Sequence, residues 1–442
     1  MNAFIQHGLG RTLGAVALAA LAVAGSLARP AAATSLALVG TRVHTVSGAD
    51  IENGVVLVEN GKITAVGTGL AIPAGATVVH LDGKQLYPGF VHPSTTLGLI
   101  EVSSVRGTND TTEIGDDNAN IRAEVAFNSD SLLLPVAIAG GVLTAHVVPQ
   151  GGILNGTSAV MTLRGWNWQD MTLAAPVGMH LTYPRTTPGE RRFSSPSAED
   201  FQKQKEKALK ALQDLFDSAR AYKTARAAAA ASKGPAVEVD PRLEAMIPVL
   251  DGKQPLFLHA EEETQISNAL DWAKKEKLTR LVLVTGEDAQ YLAARLAKEK
   301  IPVILDGVLA MPNRRSEAYD AAYAAAGVLH AAGVTVAIGD GADPSMARNL
   351  PFHAAMAAAF GLPKDVALRS VTLTPAEILG VADRVGSIDA GKDATFFVSD
   401  GDPLEARTHI ERVWIAGQEI DLTKNHQWEL YQKYKNRPRP AK

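Results

Sequence analysis

The sequence predicts an α/β fold in which a (β/α)₈ barrel carries a small β-sandwich. In the middle of the chain, short apolar runs alternate with helical patterns, which is typical of βα units and a parallel sheet. Near both ends the apolar residues instead recur with period two, as in half-buried strands. Neither end alone has enough such strands to bury a face, so we expect the two ends to form one β-domain. The length of 442 residues agrees with one barrel plus a small domain.

Composition and charge exclude several classes of protein. Apolar residues make up 46% of the chain and charged residues 20%, which is enough apolar side chain for a buried core. The 43 basic and 47 acidic side chains leave a formal charge of −4, so we expect no nucleic-acid partner. Because the chain contains no cysteine, disulfides, thiolate metal sites and cysteine nucleophiles are all excluded.

Residues 1–33 have the pattern of a secretory signal peptide. Arg11 precedes an apolar run from Leu13 to Leu27, and Ala31-Ala32-Ala33 supplies the small residues that signal peptidase requires. The run is about 15 residues, shorter than the roughly 20 that span a bilayer. We expect cleavage near Ala33 and a periplasmic mature protein without a membrane segment, the alternative being an uncleaved anchor.

The predicted β-sandwich combines residues 34–87 with residues 384–424, and a helix and tail follow at 425–442. Asn60-Gly61 between two apolar runs is a hairpin signal. The strands that we predict are 36–39, 55–58, 63–66, 394–398, 410–415 and 419–420.

The predicted barrel covers residues 88–383. A long helix is expected over 197–233, and Thr374-Pro375 resembles a helix start with Thr374 as the N-cap. Seven candidate strands are found, and residues 153–163 are the best place for an eighth. The seven are Leu86–Val91, Gly141–Val148, Val177–Tyr183, Leu256–His259, Leu281–Val284, Val303–Leu305 and Val334–Ile338.

Two segments carry a resemblance to a known family. One is the ordered string 383–388, 391–394 and 400–404, and the other is Leu86-Tyr87-Pro88-Gly89-Phe90-Val91. Together with the split β-domain they resemble the amidohydrolase superfamily, near its imidazolonepropionase-like branch, over essentially the whole mature chain. The resemblance implies the barrel and a metal-dependent hydrolase acting on amide or cyclic amide bonds.

The family's metal-ligand positions are only partly retained. Where the resemblance implies His-x-His after the first barrel strand, this chain has Ser94 and Thr96, with His92 at the usual aspartate. Thr285 replaces the sixth-strand histidine. His259 and Asp340 match the fifth- and eighth-strand ligands, and His180 is placed at the position of the bridging lysine.

These departures argue against a binuclear centre, because a hydroxyl is a poor ligand for a divalent metal beside imidazole or carboxylate. His180, His259 and Asp340 would suffice for one zinc ion, since a catalytic zinc takes three protein ligands and water. Asp340 would then be the catalytic base. The alternatives are a buried, hydrogen-bonded His259, a structural His180, and an Asp340 that caps a loop; the cofactor is therefore one zinc ion or none.

Two further residues are candidates for substrate binding. Glu261 follows His259 directly, and a carboxylate at a strand end suits proton transfer, although Glu261-Glu262-Glu263 also fits the first turn of a helix. Arg348 could bind a substrate carboxylate, with a surface role as the alternative. The polar segment 101–130 is expected to cover the site. Ser158 has no histidine in the local sequence to activate it.

Two functions from different classes remain. The first is a hydrolase of carbon–nitrogen bonds acting on a small-molecule or peptide-like substrate, with at most one metal ion. The second is a non-catalytic scaffold, either a homo-oligomer or the partner of an active amidohydrolase relative.

Overall fold

The computed structural model describes residues 35–188, 197–232, 236–312, 314, 316–341, 343–435 and 437–438. The predicted signal peptide lies outside these ranges. Among the described helices, none combines the length and apolar character needed to cross a bilayer.

The strands of the described residues fall into three sheets. They are β1 (Ser35–Val43), β2 (Ile51–Glu59), β3 (Lys62–Gly67), β4 (Thr77–His80), β5 (Gln85–Pro88), β6 (Phe90–Thr95), β7 (Val142–Val147), β8 (Leu154–Thr157), β9 (Ala159–Thr162), β10 (Thr172–Ala174), β11 (Met179–Thr182), β12 (Leu256–His259), β13 (Leu281–Thr285), β14 (Val303–Leu305), β15 (Val336–Ile338), β16 (Phe396–Ser399), β17 (Ile410–Ile415) and β18 (Gln418–Ile420).

The helices lie mainly between the strands of the central region. They are α1 (Leu134–Ala139), α2 (Trp168–Met171), α3 (Ala198–Ser232), α4 (Pro241–Leu250), α5 (Glu263–Lys275), α6 (Ala293–Glu299), α7 (Ala321–Ala331), α8 (Leu350–Ala359), α9 (Lys364–Arg369), α10 (Leu373–Ile378) and α11 (His426–Lys435). Short 3₁₀ turns occupy Arg106–Thr108, Ala123–Ala126, Glu287–Leu292 and Pro344–Asn349.

Both ends of the chain build one eight-stranded sheet, the end sheet, as predicted. Its order is β18-β17-β16-β5-β1-β2-β3, with β4 also paired to β1. Asn60 and Gly61 turn β2 into β3 with positive φ angles of 51° and 79°. A Cβ on Gly61 would lie 2.6 Å from the Ala416 carbonyl oxygen, so this turn needs glycine. The Ile63 N–H on β3 donates to the Lys392 carbonyl, four residues before β16. Side chains of β3 and β16, among them Ile63 and Phe396, pack in one apolar core.

A six-stranded sheet and a four-stranded sheet form the central region. Their orders are β15-β14-β13-β12-β11-β8 and β10-β9-β7-β6, and only Ser158 separates β8 from β9. The predicted eighth strand at 153–163 is therefore present, but it runs antiparallel to β7 and β11. The six residues between β7 and β8 explain this orientation, because a parallel crossover needs about a dozen or more.

The outer strands of the two sheets approach each other. Val91 N–H on β6 bonds the Val371 carbonyl at 2.9 Å, and Ile338 N–H on β15 bonds the Ser370 carbonyl at 3.0 Å. Apolar side chains from both sheets share one core, which contains Val91, Val160, Phe257, Val282, Ile304 and Ala337. The central region is thus a mixed α/β fold in which six of the seven predicted strands are present. The predicted strand Leu86–Val91 is instead divided at Gly89 between β5 of the end sheet and β6 of the central region.

The long predicted helix is confirmed as α3, and its N-cap is Ser197, whose hydroxyl accepts the Asp200 N–H at 3.0 Å. Leu212, Phe216 and Ala219 lie on one face of this helix and are buried. The predicted helix start at Thr374 is wrong by two residues. Because α10 begins at Leu373, Thr372 is the flanking residue and Thr374 lies buried inside the helix.

Candidate active site

Imidazole, carboxyl and hydroxyl side chains gather where the central strands end. Parallel strands present their carboxyl ends at one edge, the edge at which α/β enzymes bind substrates. On or just after these strands lie His92, Ser94 and Thr96 (β6), His146 (β7), His180 (β11), His259 (β12), Thr285 (β13), Asp306 (β14) and Asp340 (β15).

His92 and Asp340 form a buried pair across β6 and β15. His92 Nε2 lies 2.7 Å from Asp340 Oδ1, and both side chains are at most 1% exposed. The Ser94 N–H points to His92 Nδ1 at 3.3 Å. Since Nδ1 accepts this bond, Nε2 carries the proton and donates it to Asp340. The second carboxylate oxygen, Oδ2, is buried without a hydrogen-bond partner among the described residues.

Asp306 is a second carboxylate next to this pair. It follows β14, and its Oδ1 lies 3.6 Å from the position of a Cβ built on Gly339. Oδ1 is buried and has no partner in the described chain. Burial raises the pKa of Asp306 to about 6, and the negative charges of Asp340 and Glu261 add to the rise while His92 opposes it. Burial of negative charge at this point is therefore unfavourable.

His353 on α8 packs behind the same pair. Its Nδ1 accepts the backbone N–H of Val308 at 3.0 Å and of Leu309 at 3.3 Å, which leaves the proton on Nε2. Burial lowers the pKa of His353 to about 4, although the charge of Asp340 acts in the opposite direction. His353 is therefore a neutral donor at neutral pH.

His146 is fully buried and held on both sides. Its Nδ1 lies 2.6 Å from the Pro93 carbonyl oxygen, and its Nε2 lies 2.7 Å from Ser158 Oγ. A carbonyl can only accept, so Nδ1 carries the proton and Nε2 accepts the Ser158 hydroxyl. Burial lowers the pKa of His146 to about 3. The histidine that local sequence lacked for Ser158 is thus supplied by β7, but neither side chain is accessible.

His180 and His259 bond to each other. His180 Nδ1 lies 2.8 Å from His259 Nε2, so one of these nitrogens carries a proton and donates a hydrogen bond to the other. The His180 ring stacks on Phe257 at a centroid distance of 4.6 Å, and its Nε2 is buried without a partner in the described residues. Burial lowers the pKa of His259 to about 4 and that of His180 well below its ordinary value. Both imidazoles are neutral at neutral pH.

A cavity of about 330 Å³ opens beside this cluster. Its wall includes His259, Thr285 and Asp306 from three consecutive strands, with Glu261 and Arg185 on exposed parts of the lining. Thr285 is 2% exposed, and its Oγ1 is buried without a partner among the described residues. Residues of the cavity wall therefore carry polar atoms that the described protein leaves without partners, as residues of a ligand site do.

The geometry does not fit the divalent metal that the resemblance implies. Two imidazole nitrogens on one zinc ion, at about 2.0–2.1 Å each, would lie roughly 3.3 Å apart. The His180–His259 distance is 2.8 Å instead, and Asp340 Oδ1 is bonded to His92. In the described ranges no three His, Asp or Glu side chains are grouped to hold a metal ion. We therefore derive no chemistry through a metal.

The predicted site residues are only partly brought together. His180 and His259 touch, and Glu261 lines the cavity that His259 also lines. Asp340 lies behind Asp306 and is not part of the cavity wall. Glu263 begins α5, so the helix-start interpretation of the acidic run is confirmed while Glu261 precedes the helix. Arg348 lies elsewhere, in a different cavity of about 430 Å³ beside Phe352 and Trp428.

Sequence reasoning missed His146, Asp306 and His353. His146 lies inside the predicted strand 141–148, and Asp306 directly follows the predicted strand 303–305. Both are titratable residues at or near the end of a predicted strand, and that position is the signal that could have identified them. His353 is on a helix far along the chain and gives no local signal.

Known proteins support this architecture. A model of the amidohydrolase family matches residues 258–423. The crystal structure of an amidohydrolase from Thermotoga maritima MSB8 is 25% identical, covers 87% of this chain and 99% of its own, and superposes with a TM-score of 0.78. The crystal structure of phenylurea hydrolase B is 16% identical, covers 89% and 98%, and has a TM-score of 0.53, a likeness of fold alone.

A curated relative agrees. The amidohydrolase tasK of Hapsidospora irregularis is 24% identical over 406 residues, which cover 82% of this chain. The match spans 39% of that relative, so this chain corresponds to about two fifths of its length. In sequence and in fold, the chain is thus similar to amidohydrolases, and these matches support the resemblance to the amidohydrolase superfamily.

Proposed function

We propose that this protein is a hydrolase of amide or cyclic amide bonds. Its substrate would occupy the 330 Å³ cavity, and its base would lie next to the wall residue Asp306, after the neighbouring strand β15. The observation that carries the proposal is the set of buried, unpartnered polar atoms at the strand ends, namely Thr285 Oγ1, Asp306 Oδ1 and Asp340 Oδ2. Buried polar atoms without partners cost free energy, and at a strand-end cavity they are placed to bind substrate and water.

Asp340 is the proposed base. Its Oδ2 has no hydrogen-bond partner among the described residues, and its Oδ1 accepts a hydrogen bond from His92 Nε2–H. This hydrogen bond orients the carboxylate and stabilises its charge. Water attacks the carbonyl carbon as Asp340 takes its proton, and Asp340 then returns this proton to the leaving nitrogen as the carbon–nitrogen bond breaks. His180 and His259, proposed from the sequence as metal ligands, bond each other as a neutral pair, of which His259 lines the cavity.

We also propose that the two central sheets close into the (β/α)₈ barrel with the end sheet as a β-sandwich, within the predicted boundaries 88–383, 34–87 and 384–424. The bonds of residues 370–371 to β6 and β15, and the core shared by both sheets, support closure. Cleavage near Ala33, a periplasmic location and nearness to the imidazolonepropionase-like branch stay predictions.

A non-catalytic scaffold is the second candidate, and a specific observation favours it. Ser94, Thr96 and Thr285 stand where the family has histidines, and the remaining His180 and His259 bond each other. Such a protein would pair with an active relative that keeps the His-x-His motif, or with a second copy of itself.

Turnover of a defined panel separates the two candidates. The purified mature chain is assayed for amine or ammonia release from linear amides, lactams, hydantoins and N-acyl amino acids, with zinc both added and chelated. The hydrolase proposal expects turnover of at least one class that chelation leaves unchanged and that Asp340→Asn abolishes. An inert protein that co-purifies from its own host with an intact relative would establish the scaffold instead.

A further inference from the structure

We propose that the 330 Å³ cavity recognises a protonated amine on its ligand, so that the substrate is an amide that also carries an organic cation. This inference rests on the proposed function, since it names the substrate class of the same site. It is carried by the charge of the cavity wall together with the buried, unpartnered hydroxyl of a residue in that wall.

The charge of the lining is negative. Glu261, Glu287 and Asp306 contribute three carboxyl groups to the wall, and Arg185 contributes one guanidinium group. His259, the imidazole of the wall, is neutral at neutral pH because burial lowers its pKa to about 4. A ligand with a positive charge therefore meets a complementary field, which is stronger in a cleft than on an open surface.

Thr285 supplies the second, independent observation. Its side chain is 2% exposed, lines the cavity, and leaves Oγ1 without a partner in the described chain. A buried hydroxyl gains most when a bound group completes its hydrogen bonds. An ammonium group has three donors, so it can bond a hydroxyl oxygen and a carboxylate oxygen at the same time.

Asp306 is the residue that would hold the cation. Its Oδ1 is the buried, unpartnered carboxylate oxygen on the wall, and the charges of Asp340 and Glu261 disfavour a negative Asp306. An ammonium group next to Asp306 offsets that repulsion, so burial of this carboxylate favours binding of a cation. A divalent metal is a poorer occupant, because no third His, Asp or Glu of the described residues joins the group.

A matched pair of amides tests the proposal by titration calorimetry at neutral pH. Phenylalaninamide carries a protonated amine, and 3-phenylpropanamide is the same molecule without it. We expect phenylalaninamide to bind about tenfold to a hundredfold more tightly, the range for one charge-assisted hydrogen bond. Asp306→Asn removes that preference, and Glu263→Gln, which changes an exposed carboxylate outside the wall, keeps it.

A second variant guards against misfolding of Asp306→Asn. Thr285→Val keeps the shape of the side chain and removes an unpaired buried hydroxyl, so it leaves the folded protein intact and weakens phenylalaninamide binding alone. Equal binding of the two amides, or zinc that displaces phenylalaninamide in wild type and not in Asp306→Asn, overturns the inference. If the protein prefers the cationic amide but turns over no substrate, cation recognition stands and the hydrolase proposal is refuted. If it turns over a substrate without preferring the cationic amide, the hydrolase proposal stands and cation recognition is refuted.

Discussion

The candidate site has two halves that use the same kinds of side chain in different ways. In the imidazole half, His146 bonds a carbonyl and a hydroxyl, and His180 and His259 bond each other. No carboxylate of the described residues forms a hydrogen bond with these three imidazoles. In the carboxylate half, His92 bonds Asp340, and Asp306 lies nearby. Burial without a counter-charge keeps the first half neutral, whereas the second half concentrates negative charge.

This difference suits the imidazole half to a structural role and the carboxylate half to a catalytic role. A buried, neutral, hydrogen-bonded imidazole network fixes the positions of strands, and it offers a substrate no charge and only weak bases, because burial lowers the pKa of His259 to about 4 and that of His146 to about 3. Carboxylates with free oxygens offer both. We therefore expect variants in the carboxylate half to change activity and variants in the imidazole half to change stability.

The largest effect is expected from Asp340→Asn. An amide cannot act as a base, so kcat should fall by about 10²- to 10⁴-fold, the usual contribution of a general base. Steady-state hydrolysis of the best substrate measures this, and thermal unfolding checks that the fold survives. Asp365→Asn, at an exposed carboxylate on α9, is the matched control and keeps full activity. Full activity in Asp340→Asn would show that Asp340 is not the base and that the carboxylate half does not catalyse the reaction.

The second largest effect is expected from acid, which should lower the free energy of unfolding through the buried histidines of the imidazole half. In the folded protein the pKa of His259 is about 4 and that of His146 about 3, both lowered by burial from 6.5. Below pH 6.5 the unfolded chain binds protons that the folded chain does not, so stability present above pH 6.5 is lost as pH falls to 4. The loss should reach about 3 kcal/mol for each of these two histidines.

Urea unfolding at pH 7, 6, 5 and 4 measures this loss. His259→Gln removes one titrating group and should flatten the pH dependence by about one proton. His80→Gln removes an exposed imidazole on β4 and serves as the control. A stability curve that is flat from pH 7 to 4 in wild type would mean that these histidines are not buried as neutral groups.

The sequence predicts the fold much better than the site, for physical reasons. Period-two patterning and the Asn60-Gly61 turn are local signals, and β2, β3 and their hairpin appear where these place them. The direction of strand 154–162 is not in its own pattern; it follows from the six-residue connection to β7. Topology therefore needed loop length as well as periodicity.

The site depended on register between distant segments. The bond of His180 to His259 joins residues 79 positions apart, and that of His92 to Asp340 joins residues 248 apart. Counting along motifs identified His92 as a substituted position, but only folding shows that it became the partner of Asp340. Which atoms face each other is decided by packing, and no local pattern encodes it.

Ser158→Ala should have a moderate effect confined to stability. It leaves the buried Nε2 of His146 without its donor, which costs about 1–3 kcal/mol. Guanidinium unfolding measures the change. Ser218→Ala removes an exposed hydroxyl on α3 that bonds the Asp214 carbonyl, and it should change stability by less than about 0.5 kcal/mol. If Ser158→Ala instead loses catalysis at unchanged stability, Ser158 and His146 of the imidazole half take part in the reaction.

Arg348→Ala should have the smallest effect and marks the outer limit of both halves. Arg348 was predicted to bind a substrate carboxylate, but it lines the 430 Å³ cavity near α11, where its guanidinium bonds the Ser345 carbonyl at 3.4 Å. Since it does not line the cavity of Asp306, we expect unchanged kcat/KM in the same assay. Arg185→Ala removes the guanidinium group of that cavity wall and should lower KM for a cationic amide. A changed KM in Arg348→Ala together with an unchanged KM in Arg185→Ala would place the substrate site at the 430 Å³ cavity instead.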